Sequence, residues 1–191
     1  YLPSDDELHP SLVLAEGELL QEAKMYKEAF DFYNETLAKA PENSPLLYAR
    51  ALAAEKIERI DISIADLTTI IKREPNNVQA LNALGYTLVD RTDNLKEGLT
   101  YIQKAYKLQP EDPAIMDSLG WAHYRSGNHA EALKYLRLAF ERLKDGEVAA
   151  HLGEVLWVMG EKDSARHVWD DALRDTPSHK VLLDVINRLT K

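Results

Sequence analysis

Leu119-Gly120-Trp121-Ala122-His123-Tyr124, followed by Gly127-Asn128-His129-Ala130-Glu131-Ala132-Leu133, is the stretch whose reading decides the fold. Gly120 belongs to a series of small residues, Gly17, Ala51, Gly85, Gly120 and Gly153, separated by 34, 34, 35 and 33 positions. A second series, Ala29, Ser63, Gly98, Ala132 and Ala165, follows twelve or thirteen positions behind the first, and Pro41, Pro75, Pro110 and Pro177 close four of the units. A period of this size marks an internal repeat, in which each unit is one supersecondary element that buries its apolar face only against its neighbours.

Within the repeat the apolar spacing is helical. Met116, Leu119, Ala122 and His123 share one face of the first half of the fourth unit, and Leu133, Leu136, Phe140 and Leu143 recur at three- and four-residue steps in the second half. Each unit therefore reads as a helix, a turn and a helix, with both apolar faces expected to point into the stack. Ser44-Pro45 and Asp112-Pro113 carry a capping side chain followed by a proline in the first helical turn. Ser126-Gly127-Asn128 and Met159-Gly160-Glu161 place glycine where the backbone must turn left-handed after the first helix. The units are expected at 10–43, 44–77, 78–112, 113–145 and 146–179, with a solvating cap helix at 180–191. Residues 1–9 read as a polar tail or as the end of an earlier repeat.

Composition narrows the function. The chain of 191 residues carries 23 basic and 32 acidic side chains, a formal charge of −9, with no basic cluster interleaved with aromatics. Such a surface repels a phosphate backbone, so nucleic acid is not an expected partner. There is no cysteine, hence no disulfide and no thiolate metal site. No apolar run is long enough to span a bilayer, and because the chain opens on Tyr1 it reads as an excised fragment.

Catalysis finds no support either. The six histidines are scattered, without a His-Glu-x-x-His pair or a carboxylate at ligand spacing. Asp117 and Ser118 lie near His123, but adjacent residues point about 100° apart on a helix, which prevents a relay geometry. His123 reads as a satisfied imidazole of the core. No catalytic, metal or cofactor residue is expected, and the chain is read as a non-enzyme.

These motifs resemble the tetratricopeptide repeat, whose 34-residue helix-turn-helix unit carries small residues where two helices cross closely. The resemblance implies an all-α, right-handed superhelical solenoid of five repeats plus a C-terminal capping helix. It also implies which residues of the first helices line a concave groove. Tyr48, Asn82, Tyr86, Asp90, Asp117, Trp121, Tyr124, Arg125, Glu154 and Trp157 are the candidate protein-binding residues on that basis. Large aromatics facing solvent are the side chains that dominate interface energetics, and Tyr48, Tyr86, Trp121, Tyr124 and Trp157 form the expected stripe. The same positions carry seven acids (Glu18, Glu22, Glu55, Asp90, Asp117, Glu147, Glu154) against Lys56 and Arg125, so the groove is expected to be acidic. Leu14 and Glu18 stand where a carboxylate clamp of the chaperone-binding kind would need lysine and asparagine.

The segments Asn82-Ala83-Leu84-Gly85-Tyr86-Thr87-Leu88-Val89-Asp90-Arg91-Thr92 and Asp117-Ser118-Leu119-Gly120-Trp121-Ala122-His123-Tyr124-Arg125 further resemble the C-terminal repeats of bacterial outer-membrane lipoproteins of the LbcA type. That resemblance implies a periplasmic adaptor that binds a carboxyl-terminal processing protease and delivers cell-wall hydrolases to it. It also implies a membrane link only through a lipid anchor outside this fragment, while a cytoplasmic location is left open. A structural role, with the solenoid mediating self-assembly or another multiprotein complex, is the alternative.

Overall fold

A computed structural model of the chain describes residues 10–191, so the reading of 1–9 as a tail or earlier repeat lies outside the described residues. These residues form eleven α-helices and no strand: α1 (Pro10–Glu22), α2 (Tyr26–Lys39), α3 (Ser44–Lys56), α4 (Ile60–Arg73), α5 (Val78–Arg91), α6 (Leu95–Leu108), α7 (Pro113–Arg125), α8 (His129–Arg142), α9 (Gly146–Val158), α10 (Lys162–Asp175) and α11 (Lys180–Thr190). The odd-numbered helices are the first helices of the expected hairpins, and α11 stands alone at the end.

The period that set the small residues also sets the helix starts. Asn43, Asn77, Asp112, Asp145 and His179 recur at 34, 35, 33 and 34 positions, and each offers a side-chain acceptor to amides that have no partner inside the helix. Asn43 accepts from the Leu46 amide at 3.0 Å, Asn77 from Ala80 at 3.0 Å, Asp112 from Ala114 at 2.8 Å and Asp145 from Glu147 at 2.7 Å. His179 fills the same place with Nδ1, accepting from Leu182 at 3.4 Å. The cap of α3 is thus Asn43 and not Ser44, whose hydroxyl instead donates to Glu74. Ser44 is already helical, and only the residue before it has the extended backbone that lets a side chain fold over the exposed amides.

Inside four of the hairpins the turn places a residue with positive φ two positions past the end of the first helix. Gly127 (φ 80°) and Gly160 (φ 88°) take this conformation without strain, whereas Lys24 (φ 60°) and Glu58 (φ 62°) do so in the first two hairpins with a side chain present. Each of these turns is closed by a long-reach backbone bond, such as Asn128 N–H to His123 O at 2.8 Å and Arg59 N–H to Ala54 O at 2.8 Å.

The chain passes from one compact unit to a second between Thr87 and Leu88, within α5. In the first unit Gly17 lies under the ring of Tyr33, so close that a Cβ there would sit 2.2 Å from Cζ. Asp66 of α4, almost fully buried, is gripped bidentately by Arg50 of α3 at 2.8 and 2.7 Å, and Arg50 also donates to Asn34 of α2 at 2.7 Å. Three consecutive helices are tied by one guanidinium, whose planar fork suits a carboxylate.

In the second unit the core gathers Leu136, Ala149, Leu152, Leu156, Trp169 and Leu182, with Val185, Ile186 and Leu189 of α11 packed against it. The close crossings fall at the small residues: a Cβ on Gly120 would meet Leu136 Cγ at 2.6 Å, and one on Gly153 would meet Trp169 Nε1 at 1.8 Å. Two expected core positions differ. Leu143 lies just past the end of α8 and is 44% exposed, because the helix that carries this apolar face stops at Arg142. His123 stacks on Tyr135 (5.7 Å, 6°), yet its Nδ1 has no hydrogen-bond partner among the described residues, so it is packed without being satisfied. Burial holds its pKa below the ordinary histidine value.

Candidate functional site

The ten residues singled out from the sequence fall in both units and are described within each. In the first unit Tyr48, Asn82 and Tyr86 are half-buried. Burial, and then the charge of Glu55, push the Tyr48 phenol up, and Glu55 also accepts from the Thr87 hydroxyl at 3.3 Å. Asn82 Oδ1 is buried with no hydrogen-bond partner among the described residues.

The second unit brings the other seven onto α5, α7 and α9, where they pair among themselves and with residues outside the expected set, His151 and Arg188 foremost. Trp121 of α7, expected to face solvent, is instead buried, with 8% of its surface exposed. Its indole N–H donates to Asp90 of α5 at 3.0 Å, and its ring stacks on His151 of α9 at 4.2 Å and 20°. An indole is amphipathic, so a carboxylate at its N–H and an imidazole on its face satisfy it inside the protein. Arg125, one turn further along α7, sits 3.7 Å from the Asp90 carboxylate and donates to the Asp90 backbone oxygen at 3.2 Å.

Asp117, on the same helix, is 7% exposed, and both its oxygens lie within 3.0 Å of His151 Nδ1. That distance places the Nδ1 proton toward the carboxylate. Burial opposes the imidazolium, but the neighbouring Asp117 charge and its hydrogen bond outweigh it, and the His151 pKa is raised. Ser118 turns away and donates to the Ala114 carbonyl at 3.0 Å, so the Asp117–Ser118 neighbourhood holds no relay.

Glu154 of α9, also 7% exposed, is the second buried acid. It accepts from the Tyr124 hydroxyl at 3.5 Å and from Arg188 of α11 at 2.5 Å. Burial first, and then Glu154, hold the Tyr124 phenol above its ordinary pKa. Trp157 is half-buried against Trp169 (5.6 Å, 30°), and its ring carries Lys162 at 4.9 Å and Arg166 at 5.3 Å.

The expected acidic character is therefore altered in this unit. Asp90, Asp117 and Glu154 are occupied by Trp121, Arg125, His151, Tyr124 and Arg188, while the fourth expected acid, Glu147, stays exposed. Sequence reasoning misses His151 and Arg188 because neither lies at a position the repeat geometry marks as concave. The signal that finds them is the period itself, since Asp117–His151 and Glu154–Arg188 are both 34 residues apart. Among the described residues no three His, Asp or Glu side chains gather as metal ligands, and no helix is long and apolar enough to cross a membrane.

Comparison with known proteins places this geometry in context. Residues 8–178 match the family described as tetratricopeptide repeat. The TPR repeat-containing protein PA4667 of Pseudomonas aeruginosa is 49% identical over 143 residues, which are 75% of this chain and 24% of that protein. Protein O-mannosyl-transferase TMTC1 of Homo sapiens is 24% identical over 183 residues, 92% of this chain and 20% of the relative. The chain thus spans about a quarter or less of the length of these relatives. The solved structure of TTC0263, a thermophilic TPR protein of Thermus thermophilus, superposes with a TM-score of 0.83 at 20% identity, covering 95% of this chain and 97% of that one. That likeness shows the fold: an all-α repeat of the solenoid class.

Proposed function

The chain belongs to the tetratricopeptide repeat family, and we propose that it is a non-catalytic binding segment of a scaffold, with its partner surface on α7, α9 and α11. Repeats of this family mediate protein–protein interaction, and its members are generally scaffolds rather than enzymes. The observation that carries the reading is the anchoring of Tyr124, Arg125 and Arg188 on the acids Asp90 and Glu154. Arginine and tyrosine are among the side chains enriched at interface hot spots. Fixing them before a partner arrives reduces the ordering entropy lost on association. Arg188 keeps 58% of its side chain exposed while bonded, so it can meet a partner without first breaking its internal contact.

The partner we propose is a carboxyl-terminal processing protease, together with the cell-wall hydrolases brought to it, in the periplasm of a bacterium whose full-length protein is lipid-anchored in the outer membrane. Support comes from the resemblance of Asn82–Thr92 and Asp117–Arg125 to outer-membrane repeat lipoproteins, and from the 49% identity to a repeat protein of Pseudomonas aeruginosa. The test is calorimetric titration of this 191-residue chain with the purified protease of the same organism, and separately with a hydrolase substrate. Saturable binding that Tyr124→Ala with Arg125→Ala weakens tenfold or more is the expected result. Absence of binding to either protein refutes the partner assignment, and binding untouched by the double substitution moves the site elsewhere.

A further inference from the structure

The second unit carries another concavity that the first-helix surface does not use. Leu152 and Leu156 lie on the side of α9 opposite Glu154, since residues two apart on a helix point about 200° from one another. There they floor a cleft of about 470 Å³, walled by Phe140 of α8 and Val168 of α10. Both leucines are 2% exposed, yet the space over them is open between the two outer helices.

Charge around the mouth is uneven. Arg137 is engaged by Glu161 at 3.3 Å, which leaves its guanidinium compensated. Asp163 faces solvent with only an exposed Arg166 at 3.4 Å, and Glu141 has no ion pair among the described residues. Counting both ion pairs, two guanidiniums stand against three carboxylates, with the exposed His167 also lining the cleft, and the acid without an ion pair, Glu141, is at the rim.

We propose that this cleft is a docking site for a partner-protein segment presenting two neighbouring apolar side chains flanked by lysine or arginine. The volume is in the range of sites that enclose a small ligand, roughly 300–1,000 Å³, and so holds a pair of side chains and no folded element. Helix-lined apolar grooves take apolar anchors from a partner segment. The acidic rim selects basic flanks and disfavours acidic ones, because like charges at a rim slow encounter and cost affinity. This site is independent of the surface proposed above, and it would let one repeat unit hold two segments at once.

The probe is a fluorescein-labelled synthetic peptide with a central Leu-Phe pair flanked by lysines, compared with the same peptide flanked by glutamates. Anisotropy reads affinity, and methyl NMR shifts of Leu152, Leu156 and Val168 read location. The lysine-flanked peptide is expected to bind at least tenfold more tightly and to shift those methyls. Ser164→Phe, an exposed lining residue enlarged to fill the space, should abolish the shifts, and Glu141→Lys should remove or invert the preference. Should Ser164→Phe fail to fold by circular dichroism, Glu141→Lys carries the test alone. Equal affinity for both peptides, binding that survives both substitutions, or no methyl shift at saturation overturns the proposal. No protease enters this assay, so its failure leaves the first proposal standing, and the converse also holds.

Discussion

Trp121 separates packing from recognition on α7, and substituting it measures which of the two it serves. The indole is 8% exposed, stacks on His151 at 4.2 Å and donates to Asp90 at 3.0 Å. Trp121→Ala empties a site between α5, α7 and α9, and large-to-small substitutions of a buried aromatic cost about 3–5 kcal/mol. Trp121→Phe keeps a ring over His151 and loses only the N–H bond to a carboxylate, at about 1.5–3 kcal/mol. For a chain of this size each kcal/mol moves the midpoint by roughly 2–4 °C, so the alanine variant should melt roughly 6–20 °C early, with phenylalanine between it and the wild type. Urea denaturation followed by both circular dichroism and tryptophan fluorescence supplies the free energies and shows whether the two units unfold together. The folded Trp121→Phe protein should bind its partner as the wild type does, since the indole offers little surface. If Trp121→Ala melts normally and loses only binding, the burial argument fails and the indole is an interface residue after all.

Gly120→Ala should also destabilise, although alanine is the better helix former by about 1 kcal/mol. The new methyl would meet Leu136 Cγ at 2.6 Å and the Leu136 backbone nitrogen at 3.0 Å. Backbone cannot step aside as a side-chain tip can, so overpacking of about 1–3 kcal/mol exceeds the propensity gain, and a variant as stable as wild type in urea would contradict the close crossing. The Asp117–His151 pair makes a prediction in pH. The His151 pKa is raised on folding, so its contribution is complete below the unfolded value of about 6.5 and fades as pH rises through the folded one. His123, with a lowered pKa, acts in the opposite sense, and comparing wild type with an Asp117→Asn/His151→Gln variant cancels it. The stability difference between the two proteins should shrink as pH rises above about 6.5, and a constant difference would mean that the pair does not titrate with folding.

The repeat interval carried most of the fold because it is a steric requirement. Two helices crossing at Gly17, Gly120 or Gly153 leave no room for a Cβ, so the small residues must recur wherever the crossing does. The helix caps recur for a similar reason, and only the choice between Asn43 and Ser44 depended on a backbone angle that composition does not show. The surface was less legible. A residue's place in the repeat states which side of its helix it occupies but not how deep it lies, so Trp121, expected at the surface, is buried while Trp157 and Tyr124 are half-exposed. Counting charge along the first helices overstates the acidity of the second unit for a related reason: three of its acids take partners from other repeats. Asp90 is occupied by α7, Asp117 by α9 and Glu154 by α11, so a count made within one helix always misses the neutralising group.

That displacement by one repeat has a physical consequence for recognition. Contacts from Asp90 through Trp121 and His151 to Asp117, and from Tyr124 through Glu154 to Arg188, are joined by the Trp121–Tyr124 ring contact at 5.2 Å into one series across four successive odd-numbered helices. A side chain bonded at both ends has little freedom left to lose, and the exposed ends of this series are Tyr124, Arg125 and Arg188. A partner meeting them finds groups already oriented, as long as their own anchors stay in place, Asp90 for Arg125 and Glu154 for Tyr124 and Arg188. Asp90 and Glu154 are therefore supports rather than recognition groups. Neutralising Glu154 by Glu154→Gln should loosen Arg188 and weaken binding through that arginine, even though the carboxylate itself is 7% exposed. Titration of the variant with the partner protein checks this, and unchanged affinity would mean that Arg188 needs no anchor to recognise it.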